Sequence, residues 1–216
     1  MTLKELQKLV EKGENEHVEF KLKLNHPDKI AHEIVAFGNT KGGTILIGVA
    51  DDKTLQGLKN IDEQLYIFDS IIQKHIKYNI DYEIEIIKLN DSRHILAAHI
   101  YELKRKPNYA LDTPSDKYGK AFVRYQDQCL QASREMVEIL KQRHKPKNII
   151  IKYSDTEKAI LQHIENYGYA TLPDLCTKVL LKEHTLSLTL INLVLANVLK
   201  IEPVEGMKDK YYYNVI

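Results

Sequence analysis

The sequence contains no tryptophan and only two cysteines, and it has neither an excess of one charge nor a long apolar run. Because 31 basic residues stand against 30 acidic ones, no strong overall field marks the chain as a nucleic-acid binder, although a local basic patch remains compatible with this balance. No stretch has the length of a membrane-spanning helix, and the first residues lack the apolar region of a signal peptide. We therefore expect a cytoplasmic protein without a membrane partner.

The scarcity of cysteine also limits the chemistry. Cys129 and Cys176 lie far apart in the sequence and have no neighbours at metal-ligand spacing, so we interpret both as reduced thiols. The 9 histidines are scattered and match no zinc motif. The sequence thus gives no indication of a disulfide framework or of structural zinc.

The most informative stretch covers residues 36–52. An apolar stripe over residues 30–37 predicts a helix that ends near Asn39, a residue type that tolerates the backbone of a helix end. Residues 44–49 are β-branched and almost wholly apolar, which predicts a short strand covered on both faces. Asp51 then follows in a turn at the strand end, where functional loops are commonly found.

Hydrophobic periodicity predicts the other elements of the first part of the chain. The predicted helices are 2–12, 61–76 and 133–144, and the predicted strands are 17–22, 82–89, 94–101 and 121–125. Residues 104–119 are expected to form a long polar loop. The basic, proline-containing stretch 141–148 is interpreted as a boundary between domains 1–147 and 148–216.

The second predicted domain shows a different pattern. Helices are expected to begin at Ser154, which opens a capping box, near Thr171 and near His184, and a β-hairpin turns near Gly206. This order is typical of a winged helix-turn-helix. The third helix is apolar over most of its circumference and carries no arginine, so it fits a buried or dimer-forming helix as well as a DNA reader.

Two motifs and one late arginine carry a family resemblance. The opening motif consists of Gly13, Glu14, Glu19, Phe20 and Lys21, and the central motif consists of Ala36, Phe37, Asn39, Thr40, Gly42, Gly43, Gly48, Val49 and Asp51. Together with Arg124, they make residues 13–132 resemble the Schlafen-type AlbA-like domain of many bacterial transcriptional regulators. The resemblance implies an α+β fold, with an AlbA-like mixed sheet and packed helices, followed here by a small winged-helix domain.

The chain departs from the family pattern after Arg124. The family usually continues with a Gly-Ser-x-Thr-Arg-like turn, whereas residues 125–130 read Tyr-Gln-Asp-Gln-Cys-Leu. The small, flexible turn and its second basic residue are therefore absent, and a role carried by that turn does not transfer to this chain.

Glu14, Glu19 and Asp51 are the sharpest catalytic candidates. Carboxylate oxygens suit Mg²⁺ or Mn²⁺, and Lys21 could steady a phosphate oxygen beside them. The positions that match the three acids form the nuclease site of eukaryotic Schlafen ribonucleases, so the resemblance implies a metal-dependent nuclease of RNA or DNA as an alternative function. Equally, Glu19 could pair with a lysine and Asp51 could be an ordinary turn residue.

Basic residues concentrate around the long loop and in the terminal hairpin. The candidates for nucleic-acid contact are Lys104, Arg105, Lys106, Lys117, Lys120, Arg124, Lys208 and Lys210. Tyr109 and Tyr118 lie among the loop cations and could stack on bases, although a solvated charged loop remains the alternative. The favoured prediction is a DNA-binding transcriptional regulator that contacts duplex DNA as a homodimer and requires no cofactor for binding.

Two weaker possibilities are a nucleotide-binding regulator, suggested by Gly42 and Gly43, and a partner-binding regulator, suggested by the apolar third helix of the second domain. The glycine pair precedes its strand, however, whereas a phosphate loop follows one, and neither Gly-x-x-x-x-Gly-Lys-Ser/Thr nor Gly-x-Gly-x-x-Gly is present. A simple turn is the favoured interpretation of the two glycines.

Overall fold

A computed structural model describes residues 1–143, 153–179 and 181–214 of the chain. The chain divides into two compact units, Met1–Cys129 and Leu130–Ile216. The predicted boundary after residue 147 lies outside the described residues. The division falls earlier because the helix over Arg134–Gln142 packs against a helix of the second unit.

The first unit is an α+β domain, as predicted. Its helices are α1 (Leu3–Lys12), α2 (Pro27–Asn39) and α3 (Ile61–His75), and its strands are β1 (Val18–Lys21), β2 (Gly43–Ile47), β3 (Tyr82–Asn90), β4 (Arg93–Ile100) and β5 (Phe122–Tyr125). Four strands form a mixed sheet in the order β1-β2-β4-β3, in which only the β1–β2 pair is parallel. Strand β6 (Gln128–Gln131), which was not predicted, spans the division between the units.

Strand β2 lies inside the sheet, and both of its faces are covered. Ile45 and Ile47 belong to a core that includes Ile34 of α2, while Leu46 packs in a second core with Leu6 of α1. The prediction of a strand buried on both faces is therefore confirmed.

Gly42 and Gly43 form the turn between α2 and β2. Gly42 has a φ angle of 74°, in the region that favours glycine. A Cβ atom at Gly43 would lie 2.3 Å from the ring of Phe37, so a larger residue does not fit there. The turn and its packing against α2 account for both glycines.

Asn39 anchors the long loop over residues 101–121. Its Nδ2 donates to the backbone oxygens of Asn108 (3.0 Å) and Phe122 (2.9 Å), and its Oδ1 accepts from the Asn108 N–H (2.7 Å). The Asn108 side chain in turn bonds both the N–H and the C=O of Tyr78. Two buried amides thus tie the loop to the end of α2 and to the residues after α3.

The isosteric change Asn39→Asp is expected to loosen this loop. The new carboxylate would remove two donors and face two backbone carbonyl oxygens, which should cost about 2–4 kcal/mol of unfolding free energy. Urea unfolding measures the loss, and limited proteolysis should show faster cleavage within residues 101–121. Asn25→Asp, at an exposed position, is the control. Equal stability of the two variants would contradict the anchoring role.

The second unit contains a helical core and a small sheet. Its helices are α4 (Arg134–Gln142), α5 (Asp155–Tyr167), α6 (Leu172–Lys178) and α7 (Glu183–Leu195), and its strands are β7 (Ala170–Thr171), β8 (Leu199–Glu202) and β9 (Lys210–Tyr213). The antiparallel sheet has the order β7-β9-β8. Helix α5 begins with the predicted capping box at Ser154.

The apolar composition of α7 is explained by burial. Leu186, Leu190 and Ile191 are buried in the core of the second unit, and Leu188 faces solvent. Among the residues that the structure describes, no helix is both long enough and apolar enough to cross a membrane.

Candidate functional site

Arg124 occupies the centre of a buried polar cluster in the first unit. Its side chain is only 1% exposed. The guanidinium donates from Nη2 to Glu19 Oε2 (2.6 Å) and from Nη1 to Glu33 Oε2 (2.7 Å), and it also bonds the carbonyl of Asn15. It lies 5.0 Å from the centre of the Phe37 ring. We call Glu19, Glu33 and Arg124 the buried triad.

The local sequence explains how the triad forms. Alternation along β1 directs Val18 and Phe20 into the core beside α1, so Glu19 points to the other face of the sheet. Glu33 was not predicted as a site residue. The sequence indicates that this glutamate is buried. Glu33 is three residues after Ile30 and four before Phe37, which places it on the apolar face of α2.

Burial dominates the electrostatics of the triad. Desolvation, reinforced by the charge of Glu19, raises the pKa of Glu33 to about 7, although Arg124 opposes the shift. Desolvation also raises the pKa of Glu14, whose carboxylate accepts the Phe20 N–H at 2.8 Å. Burial likewise raises the pKa of the Cys129 thiol, which keeps this cysteine protonated and unreactive at neutral pH.

Glu33 is expected to make stability depend on pH. Because its pKa is higher in the folded state than in the unfolded chain, folding takes up a proton between about pH 4.5 and pH 7. The contribution of Glu33 to stability should therefore be greatest below this window and fall by about 3 kcal/mol as the pH rises through it. Glu33→Gln should lose less stability over the same window.

Urea unfolding at a series of pH values measures this difference. Glu16→Gln is the matched control, since Glu16 is an exposed glutamate of the same unit. Parallel stability profiles for the wild type and Glu33→Gln would contradict a raised pKa at Glu33.

The predicted acidic trio does not have the geometry of a metal site. Both carboxylate oxygens of Glu19 are engaged, one by Arg124 and the other by Lys21. Glu19 pairs in the sheet with Ile45, and Asp51 lies farther along the chain in an exposed turn. In residues 1–143, 153–179 and 181–214, no group of three His, Cys, Asp or Glu side chains is arranged to hold a metal. Metal binding by Glu14, Glu19 and Asp51 therefore stays a prediction.

The structure separates the predicted loop cations into two groups. The prediction that Arg124 and Lys106 contact nucleic acid is corrected. Arg124 is in the buried triad, and Lys106 donates to the carbonyl of Thr40 at 2.6 Å and to Glu102. The exposed loop cations are Lys104, Arg105, Lys117 and Lys120, of which Lys120 is paired with Asp112.

Lysines and tyrosines form a cluster beside the long loop, in which Tyr109 is half-buried and the other members are exposed. Lys77 Nζ lies 5.6 Å from the ring centres of both Tyr78 and Tyr109, and it reaches the Lys117 carbonyl at 3.5 Å. Lys117 Nζ in turn lies 5.5 Å from the Tyr118 ring, which is 77% exposed. We call Lys77, Tyr78, Tyr109, Lys117 and Tyr118 the Lys–Tyr surface.

Sequence analysis missed Lys77 and Tyr78. They follow α3 and lie far from the loop in the sequence, so only the folded chain brings them beside Tyr109 and Lys117. The available signal was a Lys-Tyr pair placed directly after a helix, where side chains are commonly exposed.

The terminal hairpin of the second unit carries a smaller group of the same kind. Lys210 Nζ lies 4.7 Å from the Tyr169 ring, and Lys200 Nζ lies 5.0 Å from the Tyr212 ring. Lys208 is exposed in the turn between β8 and β9. By contrast, the solvent-facing residues within α7 include Thr185, Leu188 and Asn192, which carry no positive charge.

These features define an α+β domain with a buried arginine–carboxylate cluster and a basic, aromatic surface. Residues 14–133 match the model of the Schlafen, AlbA_2 family. Because the match covers more than half of the chain, the protein belongs to this family.

Two solved structures are similar to the chain at low identity. The N-terminal domain of a RecG-related protein from Nitrosomonas europaea is 18% identical, with a TM-score of 0.42, over 55% of this chain and 88% of that one. The DIP2311 protein of Corynebacterium diphtheriae is 16% identical, with a TM-score of 0.44; the match covers 92% of this chain and 34% of that protein. No curated protein matches the chain.

Proposed function

We propose that the protein binds nucleic acid and that it is a DNA-binding transcriptional regulator acting as a homodimer. The Lys–Tyr surface is the observation that carries this proposal. Membership of the Schlafen, AlbA_2 family supports nucleic-acid contact in general, because the sequence motifs resemble a domain found in many transcriptional regulators.

The chemistry of the Lys–Tyr surface fits a phosphate backbone and bases. Lysines that contact phosphates release condensed counterions, which supplies affinity without sequence preference. The exposed rings of Tyr78 and Tyr118 offer flat faces on which bases can stack. Lys104 and Arg105, on the same loop, are exposed and can extend the basic area.

We also propose that the second unit is a winged helix. Helices α5, α6 and α7, followed by the β8–β9 hairpin, have the order of that motif. The exposed residues Thr185, Leu188 and Asn192 of α7 are uncharged, so Lys208 and Lys210 of the hairpin are the better candidates for phosphate contacts.

Metal-dependent cleavage is a second candidate function. The observation in its favour is that Glu14 Oε1 accepts the N–H of Phe20 at 2.8 Å, which places Glu14 against β1 beside Glu19. Glu14 is the better residue to mutate. Removing the Glu19 carboxylate would take away one of the two acids that pair with Arg124, so a loss of activity could then come from a loss of folding.

One pair of gels distinguishes the two functions. End-labelled duplex DNA and a structured RNA are incubated with the protein and Mn²⁺, beside Glu14→Gln, the exposed control Glu16→Gln and an EDTA sample. Intact substrates on the denaturing gel, with shifted bands on the native gel, support the binding proposal. Products that need Mn²⁺ and disappear only with Glu14→Gln would replace it with a nuclease.

A further inference from the structure

The second unit contains a cavity of about 500 Å³ that the proposed nucleic-acid surface does not use. It lies between the start of α4, helix α6, the first residue of α7 and the turn before β9. All the residues that line it belong to Leu130–Ile216. The cavity is large enough for a small organic molecule.

Asp209 is an unusual lining residue of this cavity. The residue is 4% exposed, its Oδ2 accepts the hydroxyl of Ser133, and its carboxylate also accepts the Val204 N–H. Its Oδ1 is buried and has no hydrogen-bond partner within the part of the chain that the structure describes. A buried carboxylate oxygen without a donor is costly, so this atom indicates a missing hydrogen-bond donor.

The charges around the cavity specify the chemistry of that donor. Glu135, a second buried acid, also lines the cavity and accepts the hydroxyl of Ser187. The cations of the lining, Arg134 and Lys208, are exposed. The buried part of the lining is therefore acidic, which favours a cation over an anion.

The remaining walls favour an organic rather than a metallic cation. Leu172, Pro173 and Met207 supply apolar surface to the lining. Within the described ranges, the acids, cysteines and histidines do not form a group that could hold a metal ion.

We propose that this cavity binds a small organic amine or amidine, which donates an N–H to Asp209 Oδ1 and packs its apolar part against Leu172, Pro173 and Met207. The proposal goes beyond nucleic-acid binding and gives the second unit a ligand site of its own. It holds whether or not the Lys–Tyr surface contacts DNA.

Three matched probes test the charge requirement on the wild-type protein. Isothermal titration calorimetry compares the affinities of benzylamine, benzyl alcohol and phenylacetate, which are a cation, a neutral molecule and an anion with the same ring. Benzylamine is expected to bind with one-to-one stoichiometry and at least about tenfold more tightly than the other two. Amide NMR shifts should centre on Ser133, Asp209 and Tyr211.

Asp209→Asn is expected to weaken benzylamine binding by about tenfold or more, because it removes the charge while keeping the size of the side chain. Asp155→Asn is the control, since it makes the same change at an exposed acid of the same unit that does not line the cavity. Circular dichroism checks that Asp209→Asn folds. If the variant does not fold, the three titrations of the wild-type protein test the proposal. Equal binding of the three probes, absence of benzylamine binding, or NMR shifts away from the cavity would overturn the proposal.

Discussion

Arg124→Met is expected to lower the free energy of unfolding by about 3–5 kcal/mol. The change removes the cation that neutralises Glu19 and Glu33 but keeps a side chain of similar length. Glu19 would then keep only Lys21 as a counterion, and Glu33 would lose the arginine that lowers the pKa of its carboxyl. Breaking a buried ion pair from one side is costly because the remaining charge stays desolvated.

Urea unfolding measures this loss, with Arg105→Met as the matched control at an exposed position of the same unit. The control should change stability by no more than about 0.5 kcal/mol. Adding Glu19→Gln and Glu33→Gln to Arg124→Met should restore much of the stability, since the unpaired charges are then gone. A loss below about 1 kcal/mol in the single variant would contradict a structural role for the triad.

The double change Lys77→Gln and Lys117→Gln is expected to weaken nucleic-acid binding by about tenfold or more at physiological salt. Each lysine that leaves a phosphate should also reduce the slope of log K against log salt by about 0.9. Stability should change little, because neither side chain is in a salt bridge among the described residues.

Fluorescence anisotropy with a labelled duplex measures the effect. Lys4→Gln with Lys8→Gln is the matched control, because it makes the same change in net charge at exposed positions of α1. Equal weakening by the two double variants would show that overall charge, rather than the Lys–Tyr surface, determines affinity.

The elements that could be predicted from the sequence depend on neighbouring residues. Helix α1, the burial of β2 and the capping box at Ser154 all follow from patterns within a few residues. The α+β class of the first unit follows from the same local periodicity and from the family motifs.

The site could be predicted only in part, because its contacts join distant parts of the chain. Arg124 is 105 positions from Glu19 and 91 from Glu33, and its place among loop cations suggested a surface role. Lys77 likewise reaches the Lys117 carbonyl across 40 positions. Composition reveals charge at such positions, but only the folded chain shows which charges are neutralised and which remain on the surface.

The most direct test of the proposed function is the salt dependence of binding by the wild-type protein. Anisotropy with a labelled DNA duplex is measured at several concentrations between about 50 and 200 mM salt, a range over which phosphate contacts weaken strongly. The proposal predicts a linear fall of log K with log salt. Affinity that stays constant over this range, or no binding at its lower end, would contradict a nucleic-acid interface built on surface lysines.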